Sequence, residues 1–168
     1  RSVVIAEILM NLSQLTDREL INLYPALLDE LKAREIVKTK NLVGEIGEYF
    51  ALKFYRENPD LPTLQRVPNS VKTISAVNPR NSYRYAIKVT SSKTTGVFHS
   101  VPTTDVTGGD HSFEYLLIVE LSQALELRSI IEVPWAVFVK YRKIKKPENK
   151  WYISISDSLI AESVKHQI

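Results

Sequence analysis

The run YLLIVEL (Tyr115–Leu121) restricts the fold more than any other stretch of the sequence. It is apolar at odd and even positions alike, and Glu120 is the single charged residue in it. A strand with one wet face would alternate polar and apolar residues, whereas a strand that is apolar on both sides has to be covered on both faces. The run therefore predicts a central strand with other elements packed on both faces of its sheet.

Two amphipathic segments before this strand predict helices. The first, over 16–36, opens with Thr16 and Glu19 in the spacing of a capping box, and Pro25 inside it predicts a kink or a break into two segments. The second covers 41–58, with Asn41 as a plausible cap. In this helix one broad face is predicted to carry Leu42, Ile46, Tyr49, Phe50 and Lys53.

The remaining segments predict one mixed sheet and two further helices. Alternating or apolar runs predict strands, and a proline or a hydroxyl cap predicts where each helix begins. The strands are expected at 64–67, 71–77, 82–90, 115–121, 125–133 and 150–156, and the helices at 134–144 and 157–166. This order is typical of a mixed α/β or α+β domain built on one sheet.

Length and composition indicate a single domain in a reducing compartment. The 168 residues suit one domain, here expected as an N-terminal helical segment, 1–38, followed by a core, 39–168. The absence of cysteine excludes disulfides, zinc-thiolate sites and cysteine nucleophiles, and favours the cytoplasm. The opening segment, residues 1–12, is too short and too polar to cross a bilayer, so no membrane partner is expected.

Two segments are candidates for contact with nucleic acid. The net charge is only +3, but basic residues are concentrated in KYRKIKKPENKW, where Lys143, Lys145 and Lys146 are predicted to contact phosphates. The alternative is a solvated helix end. The second segment, Ser91–Lys93, offers the hydroxyls of Ser91 and Ser92 and the charge of Lys93 at the end of a strand, and its alternative is a polar turn.

Lys88 lies within an alternating strand and allows two interpretations. In Tyr83–Thr90 the side chains of Arg84, Ala86 and Lys88 point to one face, because side chains alternate along a strand. Burying an ammonium group is costly unless a negative group meets it. Lys88 is therefore either the anchor of a catalytic site or a lysine whose stem packs while its head stays in water.

The helix at 41–58 carries two carboxylates, Glu45 and Glu48, that lie three residues apart at the margin of its apolar face. Two like charges so close together suit a divalent cation or a lysine partner. The alternative is a solvated acidic edge or ion pairs with Lys53 and Arg56.

The loop between the third and fourth strands contains His99, Asp105, Asp110 and His111. These residue types can bind a metal or act as general bases. Their spacing matches no known zinc pattern, so a glycine-containing surface loop is the favoured interpretation. If the protein reads DNA, this loop is a candidate for contact with a groove.

The order of these motifs resembles the PD-(D/E)XK nuclease superfamily, and more narrowly its restriction-endonuclease-like members. That family has a glutamate-bearing helix, an aspartate–alanine–aliphatic strand, a strand ending in aliphatic–lysine, and Phe-Glu/Asp-Tyr opening the next strand. The segments that carry the resemblance are KTKNLVGEIGEYFALKFY, VKTISAVNPRNSYRYAIKVTSSKTTGVF and FEYLLIVEL. The resemblance covers roughly residues 17–151.

This resemblance implies a restriction-type endonuclease that hydrolyses double-stranded DNA with Mg²⁺. Glu48 or Glu45 would be the helix carboxylate and would hold the metal, and Lys88 would be the catalytic lysine, facing the glutamate helix across the sheet. In the family the metal polarises the phosphate and activates water, while the lysine stabilises charge. Two-fold symmetric cutting would imply a homodimer.

Two departures from the family pattern bear on activity. Ser75 occupies the most natural position of the expected aspartate, with Ala76 as the alternative in a shifted register, and Ala86 stands two residues before the lysine. A serine hydroxyl is a poor substitute for an anionic ligand of Mg²⁺. Either Glu45 and Glu48 hold the metal with help from outside, or the chain is an inactivated variant. The alternative functions are a non-catalytic DNA-binding or regulatory module and a protein-interaction domain with a basic segment.

Overall fold

A computed structural model describes residues 12–39, 41–68 and 70–168. The chain divides into two compact units, residues 1–42 and 43–168. Within the described ranges no helix has the length and apolar character needed to cross a bilayer. The opening segment considered above lies outside these ranges, except for its last residue.

The first unit contains helix α1, Asp17–Ala33. The predicted capping box is confirmed: the N–H of Glu19 donates to Thr16 Oγ1 at 3.3 Å, and the N–H of Thr16 donates to Glu19 Oε2 at 2.8 Å. Pro25 lies inside this helix, which is continuous, so a break into two segments is wrong. Proline removes one main-chain donor, and the hydrogen bonds of the other turns remain available to hold the helix.

The second unit is built around a six-stranded sheet. Its order is β1-β2-β3-β4-β5-β8, and every neighbouring pair is antiparallel except β3 and β4, which are parallel. The elements are α2 (Leu42–Glu57), β1 (Gln65–Arg66), β2 (Ala76–Asn78), β3 (Tyr83–Thr90), β4 (Tyr115–Leu121), β5 (Leu127–Pro134), α3 (Trp135–Tyr141), β6 (Lys143–Lys145), β7 (Lys150–Tyr152), α4 (Asp157–Ala161) and β8 (Val164–Gln167).

The predicted central strand is confirmed, since β4 lies inside the sheet and contributes to a core on each face. Leu116 and Ile118 belong to one core, and Leu117 and Val119 belong to the other; all four are fully buried. We call these the α3 core, which also contains Phe138 and Trp151, and the α2 core, which also contains Ala51 and Tyr55. The sheet thus separates two apolar layers, as the apolar run predicts.

Two predictions near the end of the chain are wrong. The basic segment is not the end of a helix, because α3 stops at Tyr141 and the next residues form a separate antiparallel hairpin of β6 and β7. The last predicted helix is limited to α4, capped by Ser156, and residues 164–167 form β8 against β5. In both places pairing with another strand satisfies the main-chain groups, and local helical periodicity does not predict such pairing.

Candidate functional site

Helix α2 approaches the sheet most closely at a glycine. A Cβ at Gly47 would lie 2.3 Å from Val89 Cγ2, so the missing side chain is what lets the helix approach β3. The buried residues of α2 are Glu45, Gly47, Ala51 and Tyr55. The residues of the predicted broad face are only partly buried, so that face is not the one that packs closest to the sheet.

The two carboxylates of α2 occupy different environments. Glu45 is buried, with 8% of its surface exposed. Glu48 Oε2 lies 3.8 Å from Nη2 of Arg66 on β1, so its cationic partner comes from the sheet, whereas Lys53 pairs with Glu57 at 4.0 Å. The ion-pair alternative therefore applies to Glu48, with Arg66 as the partner.

Ser75, the residue before β2, is hydrogen-bonded to β3, the strand that carries Lys88. Its N–H donates to the carbonyl of Tyr85 at 2.8 Å, and its Oγ accepts from the N–H of Ile87 at 3.3 Å. The hydroxyl therefore lies against the backbone one residue before Lys88. Ala76, the alternative position for the missing aspartate, is fully buried in the α2 core, where a carboxylate would be costly.

Lys88 is partly buried, and its ammonium group is held by neutral groups. Nζ donates to the carbonyl of Val97 at 2.9 Å and lies 4.8 Å from the ring centre of Phe98. Burial lowers the pKa of Lys88. Ala86, two residues earlier on the same face of β3, is buried in the α3 core. The ammonium group of Lys88 is thus already bound by the carbonyl of Val97 and the ring of Phe98.

The glutamate helix and the lysine lie on opposite faces of the sheet. Val89 contacts α2 at Gly47, whereas the neighbouring Lys88 points to the α3 core and reaches Phe98. The expectation that the lysine faces the glutamate helix is therefore wrong. The register of β2 reaches only Tyr85 on β3, so beyond Ser75 this edge of β3 is not covered by β2. The two faces adjoin at that uncovered edge.

A ligand set for a metal is only partly present. Glu45 and Glu48 supply two carboxylates on α2, and Ser75 and Ala86 supply none on the strands. Within the described ranges, no group of three or more His, Cys, Asp and Glu side chains could hold a metal ion. Mg²⁺ commonly uses one or two carboxylates together with water and substrate phosphates. The number of carboxylates on α2 is within the range that Mg²⁺ uses.

The structure brings the two predicted DNA-contacting segments together. The N–H of Ile155 donates to the carbonyl of Lys93 at 2.7 Å, and Thr94 forms a β-bridge with Ser154. Nζ of Lys143 lies 3.4 Å from Ser154 Oγ. The turn Ser91–Lys93 therefore adjoins the β6–β7 hairpin, although about 50 residues separate them in sequence.

The β6–β7 hairpin has one basic face and one apolar face. Lys143 pairs with Tyr152 and Lys145 pairs with Lys150, so these four side chains share a face. Trp151 on the opposite face is buried in the α3 core. Lys146 is exposed in the turn that follows β6. We call the four residues of the outer face and Lys146 the basic hairpin surface.

The loop at 99–114 is organised by Asp105, one of the four residues named above as possible metal ligands or general bases. Its carboxylate accepts from Thr107 Oγ1 at 2.8 Å, from the N–H of Gly108 at 2.9 Å and from the N–H of Asp110 at 3.0 Å. These bonds lower the pKa of Asp105 to about 2. The loop is also bound to the core, since Trp135 Nε1 donates to the carbonyl of Gly108 at 2.8 Å. The spacing of Asp105 before the two glycines is the signal for such a turn.

Comparison with known proteins gives no assignment for this chain. No protein-family model matches it, and no curated protein matches it. The contacts of its own side chains therefore carry the functional argument.

Proposed function

We propose that this chain is a metal-dependent DNA endonuclease domain of restriction type, in which Ser75 and Ala86 reduce cleavage of double-stranded DNA. One observation carries the proposal. Ser75 is distant from Lys88 in sequence, and its Oγ nevertheless bonds to the N–H of Ile87, the residue before Lys88. The expected ligand position is thus bonded to the backbone of the lysine strand, which supports the proposal, whereas the Lys88 ammonium group points to the opposite face of the sheet.

The positive groups on the lysine side of the sheet support the same proposal. Phe98, which contacts the Lys88 ammonium group, donates its N–H to the carbonyl of Trp151 on β7 at 2.9 Å. The basic hairpin surface therefore begins next to the lysine site. Lysines on a β-ribbon neutralise phosphates and give DNA affinity that depends on salt.

Glu45 and Glu48 would hold the magnesium ion that such an enzyme uses. When bound, the ion would polarise the phosphate and generate the attacking hydroxide. To stabilise negative charge on the same phosphate, Lys88 would have to release the carbonyl of Val97 and reach around the uncovered edge of β3. Arg66 already neutralises Glu48, and a carboxylate is lacking at Ser75, so we expect slow cutting by the natural sequence.

The test restores the missing carboxylate. Ser75→Asp should increase the nicking of supercoiled plasmid in Mg²⁺ or Mn²⁺ at least tenfold over the natural chain. Ser122→Asp is the matched control, because it adds the same charge in the β4–β5 turn, where Ser122 Oγ already accepts from the N–H groups of Ala124 and Glu126. Equal cutting by the two variants would contradict the proposed catalytic function.

A second candidate, a non-catalytic DNA-binding module, is favoured by the engagement of Lys88. Its ammonium group is bonded to the carbonyl of Val97, and the side chain at Ala86 is buried. Salt-dependent DNA retention without cutting by Ser75→Asp would favour this candidate. Absence of DNA retention at low salt would contradict both candidates and favour a protein-interaction domain.

A further inference from the structure

Arg142, which follows α3, is a buried cation that forms no salt bridge with the described carboxylates. Only 9% of its surface is exposed. Its Nη2 donates to the main-chain carbonyl of Asp105 at 2.8 Å, and the guanidinium carbon lies 4.1 Å from the ring centre of Trp151. None of the ion pairs found among the described residues includes Arg142.

This arrangement leaves a desolvated positive charge only partly compensated, because burial lowers the pKa of Arg142 more than the nearby charge of Asp105 raises it. A buried charge is costly unless an opposite charge or enough hydrogen bonds meet it. One carbonyl uses one of the five N–H donors of a guanidinium group. The Asp105 carboxylate attracts Arg142 only through space, since its oxygens accept from three donors of its own loop. The remaining guanidinium donors can therefore take an acceptor from outside the chain.

Arg142 lines a cavity that could admit such a partner. The volume is about 220 Å³, and the other lining residues are Val101, Pro102, Thr104, Asp105, Asp110, His111, Ser112 and Trp135. Thr104, His111 and Ser112 offer further hydrogen-bond donors at its wall. Asp105 and Asp110 both oppose an anion in this cavity. Asp110 is exposed to solvent, which screens its charge, and the Asp105 carboxylate accepts hydrogen bonds from three donors of its own loop.

We propose that this cavity is a phosphate-binding site in which the Arg142 guanidinium group holds the anion. The fork of N–H groups matches the oxygens of a phosphate, and the wall donors can bind the remaining oxygens. Four acceptor oxygens use this set of donors more fully than the two of a carboxylate. The site is separate from Glu45, Glu48 and Lys88, and the proposal does not rest on DNA cleavage.

Tryptophan fluorescence gives a direct test on the full chain. The two tryptophans of the sequence are Trp135, which lines the cavity, and Trp151, on which Arg142 stacks. Inorganic phosphate, titrated against sodium chloride at equal ionic strength, should give a saturable change in the emission of the natural protein. No difference between phosphate and chloride, together with no response to a short DNA duplex, would overturn the proposal.

Two variants show whether the response comes from this cavity. Arg142→Gln removes the cation, with Arg128→Gln, an exposed arginine on β5, as its control. Because Arg142 also packs on Trp151, Ser112→Asp serves as a second variant that keeps the arginine and places a negative charge at the wall. Both cavity variants should bind at least tenfold more weakly, while Arg128→Gln and Ser122→Asp bind as the natural protein does. An unchanged response in Ser112→Asp would overturn the proposal.

The same titration identifies the source of the phosphate. A response to inorganic phosphate indicates a site for a free phosphate group. A response to the duplex alone, lost in Ser112→Asp and kept in Ser122→Asp, indicates a phosphate of the DNA backbone. Either result supports a phosphate site, and neither depends on whether Ser75→Asp cuts plasmid.

Discussion

The hydroxyl of Ser75 accepts a hydrogen bond from the N–H of Ile87 at 3.3 Å, where the cover of β2 on β3 ends. The serine hydroxyl therefore supplies the acceptor that a main-chain carbonyl of β2 would supply if the strand extended further along β3. A longer acidic side chain at this position could extend beyond the edge, toward the gap between the two faces. This geometry makes position 75 the most informative place at which to add a carboxylate.

Replacement of Lys88 should change how the free energy of unfolding depends on pH. Burial lowers the pKa of Lys88 in the folded chain below its ordinary value. Between the folded and unfolded pKa values the unfolded chain therefore binds more protons, and the contribution of Lys88 to stability increases as pH rises. The free energy of unfolding of the natural protein, relative to Lys88→Met, should increase with pH through this window up to about 10.4.

Urea unfolding of both proteins at several pH values between 7 and 10.5 measures this difference. Lys88→Arg provides a second comparison, because a guanidinium group keeps its charge throughout the range. The natural protein should gain stability with pH relative to both variants. A difference that stays constant over this range would contradict the lowered pKa.

Removing charge from the basic hairpin surface should weaken DNA binding and its dependence on salt. Lys143 and Lys145 are exposed on one face of β6. If each lysine contacts one phosphate, the plot of log K against log salt concentration should have a slope that is less negative by about 1.8 in the double variant Lys143→Gln/Lys145→Gln. Fluorescence anisotropy with a labelled duplex, measured between low and moderate salt, gives this slope.

The matched control removes two exposed charges from the other edge region of the sheet. Arg128 lies on β5 and Lys165 on β8, and both are exposed. Arg128→Gln/Lys165→Gln changes the net charge equally and should keep the natural slope. If both double variants alter the slope by the same amount, binding depends on net charge and the assigned surface is wrong.

Tyr55→Phe should destabilise the second unit. The hydroxyl of Tyr55, a fully buried residue of α2, donates to Glu132 on β5. Burial, and then the charge of Glu132, raise the pKa of Tyr55, so the phenol remains a neutral donor. Removal of the hydroxyl leaves the partly buried Glu132 carboxylate without this hydrogen bond. The free energy of unfolding in urea should fall by about 1–3 kcal/mol.

Tyr83→Phe is the control for this change. Tyr83 is 42% exposed, and its ring contacts Tyr115. A substitution on such a surface should change the free energy of unfolding by less than about 0.5 kcal/mol. Equal effects of the two variants would show that the bond between Tyr55 and Glu132 adds no stability.

Gly47→Ala should destabilise the protein, although alanine normally strengthens a helix by about 1 kcal/mol over glycine. The added Cβ would lie 2.3 Å from Val89 Cγ2, on a strand side chain with little freedom to move. We expect a net loss of about 1–2 kcal/mol in thermal or urea unfolding, because overpacking outweighs helix propensity.

Two further variants separate the clash from other effects. Val89→Ala in the Gly47→Ala background should restore part of the loss, since it removes the atoms that the new Cβ meets. Gly96→Ala is the control, because no atom lies within 4 Å of a Cβ there. Stabilisation by Gly47→Ala would contradict the close packing of α2 on β3.

Sequence patterns predicted the features that depend on local geometry. The capping box of Thr16 and Glu19 and the apolar run of β4 were predicted correctly, because capping and burial on both faces use residues close together in the chain. The alternation along β3 was also correct, and it placed Ala86 and Lys88 on one face. These relationships follow from the fixed periods of helices and strands.

The tertiary structure decided the features that depend on partners distant in sequence. The buried face of α2 follows from the fit of Gly47 against Val89, and the basic hairpin surface adjoins Lys93 through pairing with residues about 60 positions away. The burial of Arg142 against Trp151 likewise has no local signature. Periodicity predicts which side chains share a face, but only packing decides what that face meets.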